Sequence, residues 1–268
     1  MLRAKLSVVC ATVLATMATL LAACSTAPID KTAGMSPNQL HAEAKTEMSS
    51  SQWDKAVPLL EKLEARAAGT PLAQQAQLDK AYAQFKAGEQ AQALATLERF
   101  MKLHPASPAM DYAIYLKGIV NFNDDLGLLS SITRQDLAER DQKAAKESFE
   151  SFKELSVRFP DSKYTPDARQ RMNYIVGSLA QYEVHVARYY YKRGAYLAAA
   201  NRAQQCLTDY RDVPATEEAL FILYKSYDAL GMDKLRDDAR RILEKTYRGS
   251  EFLVRGWKEN TDPWWKLW

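Results

Sequence analysis

One cysteine near the amino terminus has the clearest chemistry in this sequence. A basic start and an apolar stretch over residues 6–20 precede it, and the three residues directly before Cys24 are Leu-Ala-Ala. Small residues at these positions admit a signal peptidase, and a thiol can accept a diacylglycerol before cleavage. We therefore expect residues 1–23 to be a lipoprotein signal peptide and Cys24 to become the acylated first residue of the mature chain.

The same stretch could instead be a transmembrane helix. It spans about 18 residues, the short edge of what crosses a bilayer, and the Ser-Thr-Ala-Pro that follows Cys24 is poor stop-transfer chemistry. We expect a diacylglycerol and an N-acyl chain on Cys24, which together meet the requirement for stable anchoring. We expect no cofactor. Because many inner-membrane lipoproteins carry Asp where this chain has Ser25, we expect an outer-membrane protein that faces the periplasm.

Residues that could take part in catalysis are scattered. The histidines His41, His104 and His185 lie far apart, and the sequence has no phosphate-binding loop, nucleophile elbow or zinc-binding helix motif. Cys206 is the only thiol left after signal cleavage and lipidation, and its spacing matches a buried helical position. We therefore expect no metal site, no disulfide and no enzymatic activity.

The charge of the mature chain is nearly balanced. Removing residues 1–23 takes away two of the 36 basic residues and leaves 34 against 33 acidic ones. A nucleic-acid-binding domain usually carries a strong basic excess on one face. The sequence therefore predicts no nucleic-acid partner.

Strong helix formers dominate the mature chain, and alternating strand patterns are missing. Residues 24–35 contain Pro, Gly and small polar residues and are expected to form a flexible, lipidated tether. Beyond them, Ser-Pro, Thr-Pro and Gly signals divide the chain into helices and turns. The expected helices begin at residues 37, 53 and 71 and cover 89–104, 108–123, 135–158, 165–193, 195–209, 214–230 and 234–247, with a longer loop over 124–133.

These helices fall into pairs that resemble one another. The second helix of each pair ends in a similar proline-containing turn, such as His104-Pro105 or Phe159-Pro160. Small residues recur where two helices must approach closely. Large residues that face small ones in units of roughly 34 residues are typical of tetratricopeptide repeats. We predict an all-α, tetratricopeptide-repeat-like superhelix of about five antiparallel helix pairs, with a concave face that suits a segment of another protein. The alternative is an irregular all-helical domain.

The first helices of two neighbouring pairs supply the expected concave groove. We place Ala81 and Gly118 at the small-residue position of their repeats. The geometry of the repeat then puts a set of aromatic and polar side chains on the concave face. An aromatic groove with polar ends suits a peptide with apolar or aromatic side chains. The alternative for any one of these rings is packing between repeats. The candidate groove residues are Gln75, Leu78, Tyr82, Phe85, Lys86, Tyr112, Tyr115, Ile119, Phe122 and Asn123.

Three runs of the sequence resemble a known family. They are HPASPAMDYAIYLKGI at 104–119, FESFKELSVRFPDSKYTPDARQRMN at 149–173 and YEVHVARYYYKRGAYLAAANRAQQ at 182–205. They are similar to the BamD (ComL) family, the tetratricopeptide lipoproteins of the outer-membrane β-barrel assembly (BAM) machinery. The resemblance runs from the lipidation motif to about Tyr247. Another tetratricopeptide lipoprotein, such as a type IV pilus pilotin, would share the lipidation motif and the repeats but lack the third run.

The resemblance implies a non-enzymatic scaffold with two binding regions. In this family the N-terminal repeats, here 36–123, bind unfolded outer-membrane proteins through a C-terminal signal that ends in an aromatic residue. The C-terminal repeats, here 124–250, bind the POTRA domains of the barrel subunit BamA, and other BAM lipoproteins are further partners. The residues that we place on the BamA side by this resemblance are Arg188, Tyr191, Arg193 and Arg202.

The last residues, 251–268, depart from the enteric members of the family. They contain Trp264, Trp265 and the terminal Trp268. One interpretation is that this aromatic tail folds back over the exposed end of the last repeat, as capping elements do. The other is that Trp268, which resembles the end of a client signal, docks into this protein's own groove or into that of a neighbouring copy.

Overall fold

The computed structural model describes residues 32–122 and 142–257, which are helical with no strand among them. Asn123, the expected lipidation at Cys24, the expected loop over 124–133 and the tryptophans of the tail lie outside the described residues. The helices are α1 (Pro37–Ser49), α2 (Trp53–Arg66), α3 (Pro71–Lys86), α4 (Gln90–Leu103), α5 (Met110–Asn121), α6 (Gln142–Arg158), α7 (Thr165–Lys192), α8 (Tyr196–Asp209), α9 (Ala215–Ala229), α10 (Asp233–Thr246) and α11 (Glu251–Arg255).

Local signals in the sequence set most of the helix ends. At the start of α1, the Gln39 backbone N–H donates to the Ser36 hydroxyl over 3.4 Å, and the Ser36 N–H donates to the Gln39 side-chain oxygen over 2.8 Å. This reciprocal pair satisfies two backbone donors that a helix start leaves without partners. Between α7 and α8, Gly194 has a φ of +75°, a conformation that glycine adopts without a steric penalty. The predicted helix starts at residues 37, 53 and 71 are confirmed.

Two helix predictions were less accurate. α5 begins at Met110 rather than at Pro108, because the chain first makes a turn in which the Met110 N–H donates to the Ser107 carbonyl over 3.1 Å. The short helix α11 was not predicted as a helix at all. Its five residues follow a turn at Gly249, and a helix of one turn has almost no periodicity to detect.

By its internal packing the chain divides into two compact units, Met1–Ala76 and Gln77–Trp268. The described part of the first unit contains α1, α2 and the start of α3. Leu40 of α1 and Leu60 and Leu63 of α2 are fully buried, and the two helices pack on each other. In the described part of this unit, α1 and α2 therefore form a helical hairpin with an aliphatic core.

The residues just before α1 are attached to α2. The Lys62 ammonium donates to the Thr32 hydroxyl over 2.8 Å. The Arg66 guanidinium donates to the backbone carbonyls of Thr32 and Met35, each over 2.8 Å. Residues 32–35, the last part of the expected tether, are thus held against the first hairpin.

From Gln77 onward, the described helices pair in sequence order. α3 packs with α4, α5 with α6, α7 with α8, and α9 with α10. α4 also packs on α5, α6 on α7 and α8 on α9, so each hairpin buries its apolar face against its neighbours. With the α1–α2 hairpin, the described residues form five pairs, and the prediction of an all-α, tetratricopeptide-repeat-like fold is confirmed.

A close contact between α5 and α6 shows why a pair needs a small residue. Gly118 of α5 lies against the ring of Phe152 of α6, which is fully buried. A Cβ atom at position 118 would lie 2.7 Å from Phe152 Cδ1 and nearer still to Cε1, inside van der Waals contact. The Ser148 hydroxyl also donates to the Gly118 carbonyl over 2.8 Å. The predicted small-residue role of Gly118 is confirmed.

Candidate functional site

A group of partly exposed aromatic side chains lies where α5 meets the start of α7. We call it the aromatic cluster and define it as Tyr112, Tyr115, Phe122, Tyr164 and Tyr174. The Tyr115 and Tyr164 rings stack with their centroids 4.7 Å apart, and Tyr112 lies 5.5 Å from Tyr164. The rings of Phe122 and Tyr174 meet edge to face at 5.9 Å. Tyr174 is 42% exposed and the other four rings are half-buried, so the cluster combines ring contacts with accessible surface.

A carboxylate and a guanidinium of α7 hold two rings of the cluster in position. The Tyr115 hydroxyl donates a hydrogen bond to Asp167 Oδ2 over 2.8 Å, and the Arg171 Nε–H donates to the same oxygen over 2.7 Å. The Arg171 guanidinium lies 4.7 Å from the centroid of the Phe122 ring, within cation–π distance. Burial, followed by the hydrogen bond to Asp167, raises the pKa of the Tyr115 phenol. α5 supplies these rings, and α7 orients them.

The opposite end of the cluster lies at Tyr112, near the start of α5, where its ring contacts Tyr164. Burial raises the pKa of the Tyr112 phenol well above its ordinary value, and the charge of Asp79 adds to this effect. The Ser162 hydroxyl donates to the Asp111 carboxylate over 2.7 Å and joins the start of α5 to the turn before α7. Because ring contacts and hydrogen bonds within the protein already hold these rings, a ligand need not order them on binding.

The predicted groove residues divide between two neighbouring cores. Tyr82, Phe85 and Tyr112 pack against the core formed by α3, α4 and α5. The other rings of the prediction, from Tyr115 onward, pack against the core formed by α5, α6 and α7. Ile119 packs against both cores. The structure therefore brings the α5 rings together and places the α3 rings beside the adjacent core.

The remaining predicted groove residues differ in their exposure. Leu78 is 2% exposed and belongs to the core formed by α3, α4 and α5, so it does not line an exposed groove. Gln75 and Lys86 are exposed. Asn123 lies outside the described residues.

Sequence reasoning missed the contribution of α7 to the aromatic cluster. The residues that it missed are Tyr164, Asp167, Arg171 and Tyr174. A usable signal was present, because Thr165-Pro166 marks the start of α7. This helix is the first of its pair, as α5 is, so its residues occupy the same repeat positions. The predicted groove included residues of α3 and α5 but none of α7.

A partly buried ion pair links α7 to α9 in the C-terminal repeats. Arg188 donates from Nε and Nη2 to the two carboxylate oxygens of Glu218 over 2.6 and 2.7 Å. The Trp257 indole N–H donates to Glu218 Oε1 over 2.8 Å. We call Arg188, Glu218 and Trp257 the C-terminal clasp. It joins residues up to 69 positions apart in the sequence, and no local pattern predicts it.

The other residues assigned to the BamA side lie on α7 (Tyr191), directly after it (Arg193) and on α8 (Arg202). The Tyr191 ring is 4.9 Å from Trp257 and 5.3 Å from Tyr196, and burial raises its pKa. Arg193 is exposed. Arg202 pairs with the carboxylate of Glu183, which is 9% exposed at its side chain, over 3.1 Å. The structure thus brings Arg188 and Tyr191 together around Trp257.

Groups for chemical catalysis are not assembled in the part of the chain that the structure describes. His, Cys, Asp and Glu side chains form no metal-binding group there. Cys206 is fully buried, its thiol lies 3.6 Å from the Ala180 carbonyl, and burial raises its pKa to about 12. A thiol that stays protonated is a poor nucleophile. No helix among these residues has the length and apolarity that a bilayer crossing requires.

Known proteins resemble this chain over most of its length. The family model of the YfiO outer membrane lipoproteins matches residues 33–242. An outer membrane protein assembly factor BamD of Neisseria meningitidis is 46% identical over 253 residues, which cover 92% of this chain and 95% of that protein. The BamD of Vibrio cholerae is 34% identical over 225 residues, covering 84% and 93%. A solved Podosopora anserina structure with TPR-like repeats covers 80% of this chain and 99% of its own, at 17% identity and a TM-score of 0.34.

Proposed function

Because the chain belongs to the YfiO (BamD) family of outer membrane lipoproteins, we propose that it is an assembly factor for outer-membrane β-barrel proteins. It acts as a non-enzymatic scaffold that binds unfolded barrel proteins at one region and the barrel subunit BamA at another. Acyl chains on Cys24 attach it to the outer membrane with its repeats in the periplasm. Attachment to one surface raises its effective concentration near partners embedded in the same membrane.

The aromatic cluster is the observation that carries the client-binding part of this proposal. Its rings are partly exposed, and Asp167 and Arg171 already hold Tyr115 and Phe122 in place. Aromatic rings offer large apolar contact areas with few rotatable bonds, so they bind many different apolar side chains at a low entropic cost. Such a surface suits unfolded clients that share aromatic character but not one sequence.

The C-terminal clasp supports the partner-binding part of the proposal. Arg188 is held at a fixed position on α7, and the exposed cations Lys192 and Arg193 follow it within two turns of the same chain segment. Arginine recognises carboxylates through paired N–H groups, and clustered cations accelerate association with an acidic surface. We therefore assign the BamA-binding surface to this region.

Site-specific photo-crosslinking tests the client-binding assignment. A photoreactive phenylalanine replaces Tyr82 or Phe122, and the matched control position is Val157, which is 74% exposed on α6. We expect nascent barrel proteins to crosslink from positions 82 and 122 and not from position 157. Equal crosslinking from all three positions, or none from 82 and 122, would contradict the assignment.

Co-purification from detergent extracts tests the class of scaffold. We expect a large β-barrel protein with periplasmic POTRA domains to remain bound to the full-length lipoprotein. Recovery of a secretin in its place would identify a pilotin, and recovery of neither would remove the assembly proposal.

The proposed membrane attachment has its own test. Mass spectrometry of the mature protein is expected to find Cys24 as the first residue, with a diacylglycerol and an N-acyl chain. The Cys24→Ser variant should be released from outer-membrane fractions. An unmodified thiol at residue 24 in the native protein would contradict this part of the proposal.

A further inference from the structure

The carboxylate of Glu218 receives three hydrogen bonds from two distant parts of the chain. Two come from Arg188 on α7, at 2.6 and 2.7 Å, and the third comes from the Trp257 indole beyond α11, at 2.8 Å. The Glu218 side chain is only 13% exposed. A carboxylate with this many donors in a largely dry site is held strongly, and its partners are held with it.

Residues 251–257, which we call the C-terminal segment, are packed as part of the folded body. The Phe252 ring stacks on Phe221 at 5.5 Å, and Trp257 meets Phe221 edge to face at 5.1 Å. Phe221 is 4% exposed, so detaching the segment would expose a large aromatic surface of α9 to water. The segment is therefore a fixed element of this region rather than a lid that opens readily.

The clasp leaves one side of the Arg188 guanidinium accessible. Nε and Nη2 each donate one N–H to Glu218, so three of the five N–H groups remain as donors, two on Nη1 and one on Nη2. The Arg188 side chain is 36% exposed. Lys192 and Arg193 on the following turns are also exposed and add positive charge to the adjoining surface. The chemistry that fits this arrangement is a carboxylate on an acidic partner surface.

We propose that Glu218 and Trp257 are positioning residues that hold the Arg188 guanidinium for a carboxylate of the partner protein. The C-terminal segment is then a component of the partner-binding surface. This inference rests on the proposed function, because the partner is the barrel subunit assigned to the C-terminal repeats. Removing the Trp257 indole N–H should therefore weaken binding at Arg188, although the two residues are far apart in the sequence.

The Trp257→Phe variant tests this claim because it keeps an aromatic ring and removes only the N–H donor and part of the ring area. Affinity is measured between the full-length lipoprotein in detergent and the soluble periplasmic domains of the barrel subunit. We expect Trp257→Phe to weaken binding about tenfold, the lower end of the loss that one hydrogen bond to a charged group represents. Trp53→Phe on α2 is the matched control and should bind like the wild type.

The salt dependence of binding separates positioning from general destabilisation. An ordered guanidinium–carboxylate contact makes binding weaken as salt rises, so Trp257→Phe should show a shallower dependence than the wild type and Trp53→Phe. Unfolding is followed in parallel, and Tm should fall by less than about 4 °C. Binding by Trp257→Phe that is equal to or tighter than the wild type would overturn the proposal.

A charge exchange provides a second test that does not depend on Trp257. The single variant Arg188→Glu should lose at least about tenfold in affinity, as expected for a contact between charged partners. Adding Glu218→Arg restores an ion pair inside the protein but presents the wrong charge to the partner. We expect the double variant to regain stability and not affinity, and full recovery of affinity would overturn the proposal.

The outcomes also separate this inference from the proposed function. If the wild-type protein does not bind the periplasmic domains at all, the assignment of the barrel subunit as partner fails. If the wild type binds and both Trp257→Phe and Arg188→Glu bind equally well, the assignment stands and the positioning role of the clasp is excluded.

Discussion

The aromatic cluster and the C-terminal clasp present side chains at a surface in two different ways. The cluster is held mainly by contacts between rings, with Asp167 and Arg171 at its edge, and Tyr174 remains 42% exposed. The clasp is held by an ion pair to a carboxylate that is 13% exposed, and the C-terminal segment covers part of it. Both regions draw on α7, one at its beginning and the other near its end.

This difference matches the demands of the two proposed ligands. Ring contacts are only weakly directional, so the cluster can accept varied apolar side chains. A bidentate ion pair is strongly directional and fixes one guanidinium, so the clasp suits a partner whose surface is always the same. Under the proposed function, one helical scaffold would combine tolerant recognition at the cluster with selective recognition at the clasp.

The largest expected effect is on the helix pair that supports the aromatic cluster. Gly118→Ala places a Cβ atom 2.7 Å from Phe152 Cδ1, and that ring is fully buried, so the clash must be relieved inside the core. We expect a loss of about 2 kcal/mol in the free energy of unfolding, measured by urea denaturation. Gly177→Ala on α7 is the control, because its Cβ meets no atom within 4 Å. An unchanged stability of Gly118→Ala would show that α5 and α6 pack more loosely than described.

The reactivity of Cys206 shows whether this damage stays in one region. Burial raises the pKa of the thiol to about 12, so in the folded protein it should react very slowly with thiol reagents at pH 8. Because helical repeats contact mainly their neighbours, we expect Gly118→Ala to leave this slow rate nearly unchanged. Fast labelling would mean that the two regions unfold together.

The next effect compares two exposed tyrosines on the same helix. Tyr174 is 42% exposed within the aromatic cluster, and Tyr189 is 52% exposed near the clasp. We expect Tyr174→Ala to weaken binding of a peptide with the client signal about tenfold, because it removes an aromatic contact from the surface. Tyr189→Ala should leave peptide affinity unchanged in the same fluorescence titration. Equal losses in both variants would remove the distinction between the regions.

A smaller effect is expected for the hydrogen bond at the edge of the cluster. Tyr115→Phe keeps the stacked ring and removes the hydroxyl that donates to Asp167 over 2.8 Å. We expect the free energy of unfolding to fall by about 1 kcal/mol. The control Tyr189→Phe, at an exposed ring, should change it by less than about 0.5 kcal/mol. A loss as small as that of the control would show that ring contacts alone hold Tyr115.

The last effect is absent at neutral pH and appears only at alkaline pH. Burial raises the pKa of Tyr112 in the folded state, so the unfolded chain releases this proton first as the pH rises above 10. The stabilisation is complete below pH 10 and declines above it. We expect Tyr112→Phe to reduce the fall of unfolding free energy with pH above 10 by up to about 1.4 kcal/mol per pH unit. Identical slopes for variant and wild type would contradict the burial of this phenol.

Much of this protein could be predicted from the sequence because the relevant signals are local. Ser36 and Gln39 form a capping box within one helical turn, and Gly194 ends α7 at a position where the backbone requires a positive φ. The burial of Cys206 follows from its spacing within α8. The lipidation motif before Cys24 is likewise a matter of adjacent residues, and its modification stays a prediction.

The tertiary structure decided which side chains meet across helices. Tyr164 and Arg171 join the α5 rings, Leu78 lies in the core rather than at the surface, and Trp257 reaches Glu218 39 positions earlier in the chain. Such contacts depend on the offset and rotation of one helix against another, and these are set by the packing of many side chains together. Local propensity determines that a helix forms and where it ends, but it contains no information about that offset.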